Sequence, residues 1–143
     1  MKEKRTLEAA SGGNVGNISV IHVIGSVASE AGGPSQTVPG LCSALSGMGM
    51  KVELIAGKTD SGIRQDDLRL VDIGSTSASA IRSELCRRLS GGSVDIVHIH
   101  GMWLPFNHAA FAAARRGGVP VVVSPRGMLE PWALGYRSLR KKI

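Results

Sequence analysis

Aromatic side chains are nearly missing from this chain: two Trp, two Phe and one Tyr, 3% of 143 residues. The formal charge of +6 would otherwise invite a nucleic-acid reading. Base stacking needs an aromatic platform, and the basic residues are scattered except near the end, so nucleic acid is set aside as a partner. No apolar run approaches the roughly 20 residues that cross a bilayer. Lys2, Lys4 and Arg5 are followed by Glu8 and a Gly/Ser/Asn stretch instead of an apolar core, which argues against a secretory signal. The expected location is cytoplasmic, and the sequon Asn17-Ile18-Ser19 is discounted accordingly. Cysteine is limited to Cys42 and Cys86, in separate helical patterns without C-x-x-C spacing; both are expected to be reduced core thiols.

Several nucleotide and hydrolase signatures are also missing. Gly57-Lys58-Thr59 resembles the end of a P-loop, but the required upstream glycine falls on Val52. No G-x-G-x-x-G follows the first strand pattern, and no G-x-S-x-G occurs anywhere. What remains is an ordinary globular composition, 43% apolar and 20% charged, long enough for one domain.

Residues 1–17 are polar and aperiodic and are expected to form a disordered leader, with the domain spanning 18–143. Ile18 to Ile24 is a β-branched run that reads as a buried strand. Val38, Leu41, Cys42 and Leu45 fall on one helical face that stops near Gly47 and Gly49. Further strands are expected at Lys51–Ala56, Leu68–Ile73, Val94–Ile99 and Val119–Val123. Helices are expected after Ser77 or Ser79, over Leu104–Arg116, and from Ala133 onward. Apolar strands alternating with helices imply an α/β fold, a Rossmann-like doubly wound parallel sheet covered on both faces.

Three loops leave carboxyl ends of strands, where such folds place their chemistry. Glu30-Ala31-Gly32-Gly33-Pro34-Ser35 opens a helix; Gly32 and Gly33 let a ligand approach the backbone, although Pro34 and Pro39 each remove a donor. In Asp95-Ile96-Val97-His98-Ile99-His100-Gly101, period two puts both histidines on one side. No carboxylate accompanies the pair, so no metal is expected; His98 reads as a core histidine and His100 as a hydrogen-bonding or proton-shuttling group. Ser124-Pro125-Arg126-Gly127-Met128-Leu129-Glu130-Pro131-Trp132-Ala133 is the most informative stretch. Arg126 suits a phosphate or carboxylate, Glu130 either binds hydroxyls or neutralises Arg126, and Trp132 either offers a plate for a sugar ring or packs in the core or an interface. Catalytic candidates are therefore His100 and Arg126; substrate-binding candidates are Gly32, Gly33, Glu130 and Trp132.

In this order, those motifs, followed by Lys141-Lys142, resemble the amino-terminal domain of family 4 (group 1) GT-B glycosyltransferases of the bacterial polysaccharide-biosynthesis type. The resemblance runs from Ile18 to the end. It implies a metal-independent, cofactor-free, retaining enzyme that moves a sugar from a nucleotide-diphosphate donor to a sugar or lipid-linked glycan acceptor. It also implies that Gly32 and Gly33 lie near the donor phosphate, that His100 lies beside the transferred sugar, and that Arg126 faces the cleft. The family's donor-binding half has no counterpart in the sequence. The chain is thus expected to be a truncated acceptor-side domain, inactive alone and dependent on a separate donor-domain chain. The basic cluster Arg137, Arg140, Lys141 and Lys142 reads first as a solvated helix face; as a patch for anionic lipid or phosphate it would allow peripheral contact with the inner membrane face. An alternative is a non-enzymatic module that binds a partner protein or an anionic membrane surface; a nucleotide-sugar epimerase-like domain is disfavoured by the missing glycine fingerprint.

Overall fold

The structure, a computed structural model, describes residues 15–60 and 68–135. Five parallel strands, β1 (Ser19–Ile24), β2 (Lys51–Ala56), β3 (Arg69–Asp72), β4 (Ile96–His100) and β5 (Val121–Ser124), form one sheet in the order β3-β2-β1-β4-β5. Helices α1 (Gly33–Gly47), α2 (Ala78–Leu89), α3 (Pro105–Arg116) and the short α4 (Pro131–Gly135) follow or connect them. This is the Rossmann-like α/β layer expected from the alternation of apolar strands and helices. The order switches direction at β1, between β2 and β4.

Strand alternation gives each face a separate character. On one face, Ile21, Val23, Ile55, Val97 and Ile99 meet Ile81 and Leu85 of α2 and an α3 surface of Phe106 and four alanines. Alanine lets α3 lie close to the sheet. The other face presents Ile24, Leu54 and Ala56 to Val38 and Cys42 of α1. On that same face, His22 of β1 pairs in register with His98 of β4, and Ile24 pairs with His100.

Local chemistry moves several boundaries. α1 begins at Gly33, ahead of its first apolar position, because Pro34 is tolerated in the first turn, where its missing N–H has no intrahelical partner. β5 begins after Pro120, which cannot donate to a ladder but accepts from Val97 N at 3.0 Å. Ser77 is the cap of α2, accepting from Ala80 N at 3.2 Å. Val15–Asn17, assigned to the disordered leader, forms a 3-10 turn; the rest of that leader lies outside the described residues. Cys42 is buried as expected, and burial pushes its thiol up to about 12 despite Arg126 nearby. Cys86 is a correction: it lies on the exposed side of α2, since the buried positions there are Ile81 and Leu85.

Candidate functional site

The three loops converge at the carboxyl end of the sheet. They enclose a cavity of about 180 Å³, lined by Ile24, Gly25, Ser26, Ala31 and Pro34 from the first, His100, Gly101, Leu104 and Asn107 from the second, and Arg126 and Met128 from the third. A larger hollow of about 460 Å³ opens at the opposite end. There Glu53 already neutralises Arg69, at 2.7 Å, and Arg88, so its charge is largely spent. Ligands of open parallel sheets bind at the carboxyl ends beside the switch in strand order, which favours the smaller cavity.

The first loop is pinned from below. Val27 N donates to Lys58 O at 2.9 Å, Gly57 N to Ile24 O at 3.0 Å, and Ser29 N to Asp60 Oδ2 at 2.6 Å. That Ser29 N–H holds the Asp60 carboxyl below its usual range. The second loop turns at Gly101, whose φ of +89° disfavours a side chain; a Cβ there would lie 2.9 Å from Asn107 Nδ2. Asn107 Nδ2 donates to the His100 carbonyl at 3.1 Å, while the buried Asn107 Oδ1 finds no partner. In the third loop Arg126 adopts φ +54°, uncommon for a residue with a side chain and typical of positions held for a purpose. Trp103 Nε1 ties this loop down by donating to Met128 O at 3.4 Å.

Arg126 and His100 meet directly. The arginine's Nε and Nη2 point at His100 Nδ1, at 3.2 and 2.9 Å. His100 Nε2 lies 2.9 Å from Nδ1 of the fully buried His22. His98 Nε2 lies 2.7 Å from Ser124 Oγ. Burial, reinforced by the cationic forms of His98 and Arg126, pulls His22 down to about 4. Burial, then His98, His22 and Arg126, pulls His100 down to about 3. His98 is lowered as well, by burial and then Arg126. All three rings are therefore neutral at pH 7.

The pair His98 and His100 does have a third imidazole beside it, contrary to the count of ligands along the sequence. Ligand nitrogens of His22, His98 and His100 lie within 4.8 Å of one another. Yet His100 offers both nitrogens to other groups, one of them the cationic Arg126 guanidinium. The cluster is thus poorly prepared for a cation.

The remaining candidates lie apart. His98, expected in the core, is half-buried, because α1 packs chiefly on β2 and not over β4 and β5. Gly32 and Gly33 are exposed at the start of α1, next to Ala31 and Pro34 but not among the lining residues. Glu130 is exposed and makes no ion pair with Arg126. Trp132 is 75% exposed on α4 and does not line the cavity. Arg137, Arg140, Lys141 and Lys142 lie outside the described residues. His22 and Asn107 were missed by motif reading. The register of β1 against β4 brings in the first, and the turn at Gly101 brings in the second.

No helix among the described residues is long and apolar enough to cross a membrane. The chain is similar in fold to the C-terminal domain of a hydrogenase from Pyrococcus furiosus, at 15% identity and TM-score 0.51, covering 74% of this chain and 90% of that one. It is also similar to a structure described as a UDP-N-acetylglucosamine 2-epimerase from Listeria monocytogenes, at 18% identity and TM-score 0.57, covering 82% of this chain. The chain spans 32% of that protein's length. At these identities the likeness is one of fold. No curated protein matches the chain. Residues 32–142, which contain the glycine pair, the two-histidine strand and the whole Arg126 loop, match the glycosyl transferase 4-like domain, and the chain belongs to that family.

Proposed function

We propose that this domain is the acceptor-side wall of a retaining sugar-transfer cleft, in which a sugar leaves a nucleoside-diphosphate donor for a glycan or lipid-linked acceptor. The observation that carries the reading is Arg126. It lines the cavity, makes no ion pair with a carboxylate among the described residues, and is held in place by a neutral ring. A guanidinium free of a counter-ion suits the negative charge that grows on a departing diphosphate, because its planar fork can donate two parallel bonds. With that charge supplied by a side chain, the reading requires no metal and no cofactor. Asn107 Oδ1 supplies a buried acceptor for a sugar hydroxyl, and burying it unpartnered costs about 1–3 kcal/mol that a ligand would recover. The Listeria structure is described as acting on a UDP-sugar, the same class of donor.

In this reading a second domain closes over the donor, and contacts to the nucleotide base fall to that partner half. Peripheral contact of Arg137, Arg140, Lys141 and Lys142 with anionic lipid at the cytoplasmic face fits an acceptor carried on lipid. The test is an amide 1H–15N titration with inorganic diphosphate and with UDP. Shifts at Gly25, Ser26 and Gly101 that vanish in Arg126→Met are expected. Absence of any response to either anion removes the reading. Addition of a donor domain with nucleotide sugars then tests transfer itself.

A further inference from the structure

Arginine can only donate hydrogen bonds. Since two of its N–H groups point at His100 Nδ1, that nitrogen must carry the lone pair. A neutral ring then bears its single proton on Nε2. His100 Nε2–H in turn faces His22 Nδ1 at 2.9 Å, so His22 must accept there. His22 therefore carries its own proton on Nε2, the one imidazole nitrogen among the described residues that is buried without a partner. The reverse order is chemically closed. If His22 donated, His100 would have to accept at both nitrogens, which a neutral imidazole cannot do.

We infer that His22 and His100 are positioning residues for Arg126: a one-directional hydrogen-bond chain, Arg126 to His100 to His22, that holds the guanidinium toward the cleft and leaves His100 without a lone pair for proton transfer. This rests on the reading of Arg126 as the anion-binding group, and it narrows the role expected of His100 from the sequence. A ring whose one lone pair is filled by Arg126, and whose one proton is spent on His22, cannot serve as a base toward an acceptor hydroxyl. The chain also accounts for the positive φ of Arg126. A left-handed backbone at a residue with a side chain is kept only where surrounding contacts over-determine it. The unpartnered Nε2–H of His22 is the far end of the same arrangement. A buried donor is left unmet there because the direction of the chain is set at Arg126.

The direct test is long-range 1H–15N correlation on protein labelled in its four histidine rings, near pH 7.5. His22 and His100 are expected to be neutral, both protonated at Nε2. In Arg126→Met, an Nδ1–H form of His100 should appear, whereas Arg126→Lys, which still donates, should retain the Nε2–H form. His22→Asn keeps an acceptor near the Nδ1 position and should preserve binding of inorganic diphosphate. His22→Leu should weaken it roughly fivefold, the loss of one ordinary hydrogen bond. A dispersed amide spectrum identifies variants that remain folded. Observation of Nδ1–H at His22 or His100 in the unaltered protein overturns the inference. So does stoichiometric Zn²⁺ that shifts His22, His98 and His100 together, since a metal would need the lone pairs that the chain has filled. If the tautomers are as stated but diphosphate does not bind, the functional reading fails and the chain of hydrogen bonds stands.

Discussion

The two faces of β1 and β4 are built from adjacent residues, yet they do opposite work. Ile21, Val23, Val97 and Ile99 point one way and meet α2 and α3 in a continuous apolar core. His22, His98 and His100 point the other way and meet one another, Ser124 and Arg126. The first face stabilises through area removed from water and needs no particular partner for any atom. The second carries donors and acceptors that must be matched one by one, so every substitution there changes a specific bond. A single strand pair can thus anchor the fold on one side and present chemistry on the other.

The contrast is broken most severely by Phe106→Ala. Phe106 is fully buried on the α3 side, and truncation there should cost about 3–5 kcal/mol, read as a lower urea midpoint. The polar face should instead be broken by acid. Unfolded histidine protonates near 6.5, whereas His22 in the fold resists protonation to about 4. The unfolded chain therefore takes up protons first. The stability contributed is complete above about pH 6.5 and falls as pH drops toward 4, by about 3 kcal/mol for His22 alone. Equal urea midpoints at pH 7.5 and 4.5 would show that the rings are not held neutral.

Gly57→Ala probes the packing below the cavity, where the added Cβ would lie 2.6 Å from Gly25 O and 2.9 Å from Thr76 Cγ2. Backbone oxygen cannot swing aside, so a loss of about 1–3 kcal/mol is expected, together with altered amide shifts at Gly25 and Ser26. Ser77→Ala removes only the cap of α2 and should cost about 1 kcal/mol without touching the cavity. The smallest effect is chemical. Iodoacetamide at pH 8 should label exposed Cys86 and leave Cys42 intact, because a thiol held near 12 is scarcely ionised. Mass spectrometry of the intact and digested protein distinguishes one label from two.

Much of the fold was legible because strand and helix periods are local. The run Lys51–Ala56 appears as β2 with those same ends, and Ser77 caps α2 as its residue type suggested. Boundaries shifted where one residue's chemistry overrode a pattern, as with Pro34 opening α1 and Pro120 delaying β5. The site was half legible. His100 and Arg126 stood at strand ends in recognisable motifs, and they touch. Trp132, singled out as a plate for a sugar ring, is exposed and does not line the cavity, while Trp103 reaches across to tie the Arg126 loop.

By itself the sequence determined which segments become strands, which loops leave their carboxyl ends, and that an arginine and a histidine would stand there, because these depend on neighbours a few residues away. Only the tertiary structure decided that His22, 78 residues before His100, would meet its Nε2 as a hydrogen-bond partner, and that the Asn107 side-chain carbonyl would be buried without one. Both depend on strand register and on how a turn aims a side chain. Those are set by the packing of the whole sheet, and no local pattern records them.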